Sequence, residues 1–150
     1  MNTIMLPRGI RNNNPGNIRL SSTIWQGQKP PPQLDPSFIE FVSPLFGLRA
    51  LMRLLLTYHL KYGLDTVSSI INRYAPPHEN ATDHYAAAVA RALRVKRTDT
   101  VNLLDKERLI AMATAIVRHE NGQPPAGTPS GWYAPVLYAQ AASLVLPVSA

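Results

Sequence analysis

The sequence predicts an α+β domain that is dominated by helices and carries one small β-hairpin near its N-terminus. From Ser43 onward, apolar residues recur at helical spacing between residues that cap or end helices. Before that point, two short apolar segments, 17–27 and 37–42, flank the proline-rich stretch 29–33, a pattern typical of a long-looped hairpin. No repeat or linker divides the 150 residues, so we expect a single domain over 1–150.

The first long helix is predicted to be capped by Ser43, to hold Pro44 in its first turn and to stop at Gly63. Its apolar residues lie on several faces, which predicts that it is the central, buried helix. Four more helices are predicted over 65–75, 82–97, 105–121 and 135–146. Their expected first residues are Asp65 or Thr66, Thr82, Asp105 and Pro135.

The composition favours an anionic partner for this chain. A net charge of +6 and a pI near 10 suit nucleic acid, a membrane face or a bacterial wall polymer. The absence of cysteine excludes disulfides and thiolate catalysis. Residues 1–6 are too short for the apolar region of a signal peptide, and no run of about 18 uncharged apolar residues predicts a transmembrane helix.

The stretch 8–19, RGIRNNNPGNIR, is an unusual local sequence. Asparagine side chains compete for backbone hydrogen bonds, and Pro15-Gly16 is typical of a turn, so an ordered turn is predicted between Ile10 and Ile18. Guanidinium and carboxamide groups crowd around it. It is therefore either an N-terminal loop or a polar binding surface for a ligand rich in hydroxyls, amides or negative charge.

Glu120 is the carboxylate whose position best fits catalysis. Counting from Leu109, it continues the apolar stripe of Ala113 and Ile116 into the last turn of the predicted helix. Partial desolvation and the negative end of the helix dipole would both favour the neutral acid there. A protonated glutamic acid is the proton donor that glycosidic-bond cleavage needs. The alternative is a helix-end glutamate that fraying turns towards solvent.

Other chemistries have little support in the sequence. The four histidines do not form an HExxH pair or similar spacing, so we predict no metal site and no cofactor. The basic residues over 91–97 lack an aromatic ladder or a groove-reading motif. A solvated helix end explains them better than a nucleic-acid interface does.

Several motifs together resemble a family of small phage and prophage proteins that are usually called structural proteins and are sometimes suspected of being wall hydrolases. They are RGIRNNNPGNIR, Trp25-Gln26-Gly27, Gly47-Leu48-Arg49-Ala50, Ala75-Pro76-Pro77, Glu79-Asn80-Ala81-Thr82 and Arg118-His119-Glu120-Asn121-Gly122. The resemblance covers residues 8–122. It implies association with a virion or a role in lysis.

A second resemblance gives a mechanism. The asparagine turn 12–19 is similar to the NNxFGIK turn of bacterial glucosaminidases in the lysozyme-like superfamily, and 81–85 looks like their YATDPxYA helix start. Those enzymes have a long helix ending in the catalytic glutamate before the asparagine turn, whereas here about ten residues precede it. Because a helix ending in Glu120 occurs near the other terminus, we predict a circularly permuted lysozyme-like fold.

The resemblance implies roles for individual residues. Glu120 would be the general acid, and Asp35, on the hairpin loop, the second carboxylate. Residues implied to bind substrate are Asn12, Asn13, Asn14, Asn17, Arg19, Trp25, Glu79 and Tyr85. The predicted protein is a monomeric phage endolysin or virion-associated lysin that reaches peptidoglycan in the periplasm from the host cytoplasm or the virion. The alternative is a non-catalytic virion or wall-binding protein.

Overall fold

The computed structural model describes residues 5–147, and its helices enclose most of the buried apolar residues in that range. The helices are α1 (Arg8–Arg11), α2 (Pro44–Lys61), α3 (Val67–Tyr74), α4 (Thr82–Leu93), α5 (Lys106–Asn121) and α6 (Pro135–Val145). The predicted helical architecture from Ser43 onward is confirmed. The four residues of α1 were not predicted as a helix.

The helix α2 lies at the centre of the fold, as its sequence predicts. It packs against α3, α5 and α6, while α4 packs against α3 and α5. Leu48, Leu51, Met52 and Leu55 are completely buried along it. Burial of apolar side chains on several of its faces explains why it lacks the single apolar stripe of a surface helix.

Local capping explains where two of the other helices begin. The Thr66 hydroxyl accepts a hydrogen bond from the Ser69 backbone N–H, and the Ser69 hydroxyl accepts one from the Thr66 backbone N–H, a reciprocal capping box. Asp105 accepts from the backbone N–H of Glu107 at the start of α5. Thr82 is the first residue of α4 rather than its cap, because its hydroxyl donates to the carbonyl of Ala75.

The predicted hairpin is reduced to isolated antiparallel pairs within residues 5–147. Arg19 pairs with Phe38, and Gln28 pairs with Phe41, without forming continuous strands. The pairing nevertheless brings segments 17–28 and 37–42 side by side. A second small apolar cluster of Ile18, Ile39, Phe41 and Ala50 fastens this region to α2. The strand prediction is therefore wrong, and the adjacency that it implied is correct.

Among the described residues, every helix is too short or too polar to cross a bilayer. The prediction about a signal peptide concerns residues 1–6, of which 1–4 lie outside the described part of the chain.

Candidate functional site

Glu120 lies in the last turn of α5, and both of its carboxylate oxygens accept hydrogen bonds. The amide of Asn17 donates to Oε1 at 2.9 Å, and the hydroxyl of Tyr85 donates to Oε2 at 2.8 Å. The three side chains come from the asparagine turn, α4 and α5, so the tertiary fold determines the orientation of the carboxyl group. Each carboxylate oxygen has a second lone pair that can face a ligand or hold a proton.

Tyr85 is a buried donor held beside this carboxyl group. Its side chain is 2% exposed, and burial, together with Tyr74 and Glu120, raises its pKa well above the ordinary value. The phenol therefore stays protonated and donates to Glu120 over the physiological pH range. The ring of His119 stacks on Tyr85 at a centroid distance of 3.7 Å, and desolvation lowers the histidine pKa although Glu120 opposes this.

The asparagine turn supports itself from within. Asn14 is fully buried; its amide donates to the carbonyls of Ile18 and Ile39, and its side-chain oxygen accepts from the Ile18 N–H. Asn13 and Asn17 both adopt positive φ angles, of 53° and 51°, which asparagine tolerates better than most residues. The predicted ordered turn is thus confirmed. Its asparagines stabilise it through buried hydrogen bonds and by adopting positive φ angles.

The turn is joined directly to the end of α5. Asn121 donates to the carbonyl of Pro15 at 2.8 Å, and the hydroxyl of Tyr74 donates to the carbonyl of Gly16. Gly9 of α1 lies so close to this junction that a Cβ there would be 2.6 Å from the Asn121 side-chain oxygen. These contacts position Asn17 against Glu120.

A cleft of about 350 Å³ opens beside Glu120. Residues 16–19 of the turn and Phe38 line it, together with residues 73–76 and 79–80 from the end of α3 and the segment that follows it. Leu54 and Tyr58 of α2 also line it. A smaller neighbouring pocket contains Tyr85, His119 and the other side of Glu120. The carboxyl group of Glu120 is therefore accessible from a polar cleft, although Asn17 and Tyr85 hydrogen-bond to it.

The structure brings together some of the predicted site residues and separates others. Asn17, Arg19, Glu79 and Glu120 line the cleft, and Tyr85 contacts Glu120 from the adjoining pocket. Sequence reasoning did not select Arg73, Tyr74 or Asn80 of the same cleft. Asn80 belongs to the Glu79-Asn80-Ala81-Thr82 motif, and Arg73 and Tyr74 directly precede Ala75-Pro76-Pro77, which were the available signals.

Four predicted substrate ligands are used elsewhere. Asn14 is fully buried and donates to backbone carbonyls, so its side chain does not line the cleft. Asn12 donates to Asp35, and Asn13 donates to the carbonyl of Phe41. Trp25 packs against the small apolar cluster around Phe41 rather than lining the cleft. None of the four lines the Glu120 cleft.

Asp35 is surrounded by donors on the hairpin side of the molecule. Arg8 donates to both carboxylate oxygens at 2.6 Å, Asn12 donates at 2.9 Å, and the backbone N–H groups of Ser37 and Phe38 donate as well. The Arg8 guanidinium, with these backbone and amide donors, holds the pKa of Asp35 far below its usual range. Asp35 does not line the Glu120 cleft. Its contacts support a role in fixing the turn, and its assignment as second carboxylate stays a prediction.

These contacts predict a pH-dependent contribution of Asp35 to stability. Because the folded-state pKa is depressed, the stabilisation is complete above the unfolded pKa of about 3.9 and is lost as pH falls below it. Asp35→Asn should lower the melting temperature at pH 7 by roughly 2–4 °C, and the difference from wild type should shrink below pH 4. Asp65→Asn, at an exposed residue whose side chain makes no ion pair or hydrogen bond within residues 5–147, is the control. A difference that persists unchanged at pH 2.5 would contradict this account.

Within residues 5–147, histidine, aspartate and glutamate side chains form no cluster of three that could hold a metal ion.

Comparison with known proteins shows similarity to a phage protein. Protein P5 of Pseudoalteromonas phage PM2 is 41% identical over 121 residues, which cover 79% of this chain and 73% of the phage protein. No family model matches the chain.

Proposed function

The chain belongs to the family of phage Protein P5, and we propose that it is a peptidoglycan hydrolase that cleaves the glycan strand with Glu120 as general acid. The observation that carries this proposal is the carboxyl group of Glu120, held by Asn17 and Tyr85 at the edge of a polar cleft. The contact between the end of α5 and the asparagine turn also supports a circularly permuted lysozyme-like fold.

In the proposed reaction, Glu120 protonates the glycosidic oxygen as the bond to the anomeric carbon breaks. The anomeric carbon, on which positive charge develops, is then attacked by water, by a carboxylate nucleophile or by a group of the sugar itself. Glu79 lines the same cleft as Glu120, whereas Asp35 is bonded to Arg8 outside it. We therefore favour Glu79 over Asp35 as the second carboxylate. Arg19 and Asn80, which also line the cleft, offer donors to sugar hydroxyl and acetamido groups.

The net charge of +6 would draw the protein to the anionic wall. Carriage in the virion or release from the host cytoplasm during lysis would bring it to the periplasm.

The second candidate is a non-catalytic virion or wall-binding protein. It is favoured by the pairing of Asp35 with Arg8, which leaves Glu120 without the partner carboxylate that the resemblance implied. Such a protein would keep the cleft and bind glycan without cutting it.

Incubation of the protein with purified insoluble murein separates the two candidates. We expect soluble muropeptides to accumulate with time, and mass spectrometry should identify one type of new sugar end. Anhydro-muramic ends would assign the sugar's own hydroxyl as acceptor, whereas reducing ends would assign water. Retention of the protein on the murein pellet without soluble products would favour the binding protein and overturn the enzymatic proposal.

A further inference from the structure

A basic groove separate from the Glu120 cleft runs between α4 and α5. It has a volume of about 410 Å³. The alanines at positions 88, 92 and 115 leave room between the two helices, and Arg91 and Arg118 stand at the rim with His119. Both arginines are exposed at the surface.

The two arginines have no carboxylate partner within residues 5–147. The ion pairs in that range involve Arg8, Lys29, His78 and Arg97 as cations. None of the residues that line the groove is an aspartate or a glutamate. Two guanidinium forks beside an apolar floor are well suited to bind carboxylates, because each fork can donate two parallel hydrogen bonds.

The groove adjoins the smaller pocket beside Glu120. His119 lines the groove and also the smaller pocket that contains Tyr85 and Glu120. His119 is therefore the residue that links this groove to the surroundings of Glu120.

We propose that this groove binds the carboxylates of the peptide stems of peptidoglycan. The inference rests on the proposed function, and it specifies the substrate as a glycan strand that carries anionic stems rather than an uncharged polysaccharide. Phosphate groups of a nucleic acid would also attract arginines, but no Phe, Tyr or Trp lines the groove to stack with bases, and the ring of His119 already stacks on Tyr85.

The proposal is tested by measuring the affinity of the protein for a disaccharide-tetrapeptide prepared from murein. The matched probe is the same compound with its carboxylates amidated. Wild type should bind the native compound roughly fivefold more tightly than the amidated one in low salt, and 0.5 M NaCl should reduce the ratio. Arg91→Gln/Arg118→Gln should bring the two affinities to within about twofold. Arg53→Gln/Lys61→Gln removes the same charge from α2 and should preserve the ratio.

Equal affinities for the two compounds in wild type, including no binding of either, would overturn the proposal. An affinity ratio that survives in Arg91→Gln/Arg118→Gln would overturn it as well. So would the finding that the double substitution weakens the binding of a short single-stranded DNA but not the binding of the native stem compound. The measurement reports binding and not cleavage. Stem binding can therefore be confirmed even if the protein does not cleave murein, and it can be refuted even if the protein does.

Discussion

Replacement of Glu120 by glutamine should lower the rate of muropeptide release by at least about 100-fold. The substitution keeps the size of the side chain and removes the proton that the leaving oxygen requires. Glutamine cannot supply that proton, whereas neighbouring donors such as Tyr85, whose pKa is raised well above the ordinary value, are far weaker acids than a carboxylic acid. The expected loss is therefore catalytic.

The fold should tolerate this substitution. Tyr85 can donate to the oxygen of the new amide, as it donates to Oε2 of Glu120. The side-chain oxygen of Asn17 is buried without a hydrogen-bond partner within residues 5–147. A half-turn of the Asn17 amide would let that oxygen accept from the glutamine. We therefore expect a melting temperature within about 3 °C of wild type, which corresponds to less than about 1 kcal/mol.

The matched control is Glu107→Gln in the first turn of the same helix, where the side chain is exposed. It removes the same charge and should leave muropeptide release within about twofold of wild type, because surface substitutions away from a site have small effects. Release by Glu120→Gln at more than half the wild-type rate would make the general-acid assignment wrong.

The long helices could be predicted from the sequence because their signals are local. Thr66, Asp105 and Gly122 mark helix ends through contacts within a few residues, so each could be identified without the fold. The turn at 8–19 was likewise predicted from asparagine and Pro-Gly chemistry. In contrast, α1 has only four residues and no apolar period, and Gly9 lies against Asn121 at the far end of the chain.

The candidate site was only partly predictable because its contacts join distant residues. The position of Glu120 on a helical stripe is local, and its contact with Asn17, 103 residues away, agrees with the expected approach of the helix end to the turn. The roles of Asn14 and Asp35 depended on partners 25 and 27 residues away. The sequence alone does not distinguish an asparagine that binds a sugar from one that hydrogen-bonds to buried backbone groups.

Gly47→Ala should destabilise the protein by about 3 kcal/mol or more, the upper end of the range for overpacked cores. Gly47 lies in the first turn of α2, where intrinsic helix propensity alone would favour alanine by about 1 kcal/mol. A Cβ at this position would overlap the backbone carbonyl oxygen of Asn13 and would lie 2.9 Å from Pro15 Cδ. The obstacle is backbone, so no rotamer change can relieve the overlap.

The same substitution should also reduce muropeptide release. Either α2 or the asparagine turn must move, and the turn carries Asn17, which holds Glu120. Thermal and urea unfolding measure the stability, and release at a temperature well below the melting transition measures the activity of the folded fraction. Gly63→Ala is the comparison, because its added Cβ would meet nothing within 4 Å but its φ of 65° is left-handed. That variant should lose about 1 kcal/mol and keep its activity. A Gly47→Ala protein as stable as wild type would mean that α2 does not pack directly on the turn.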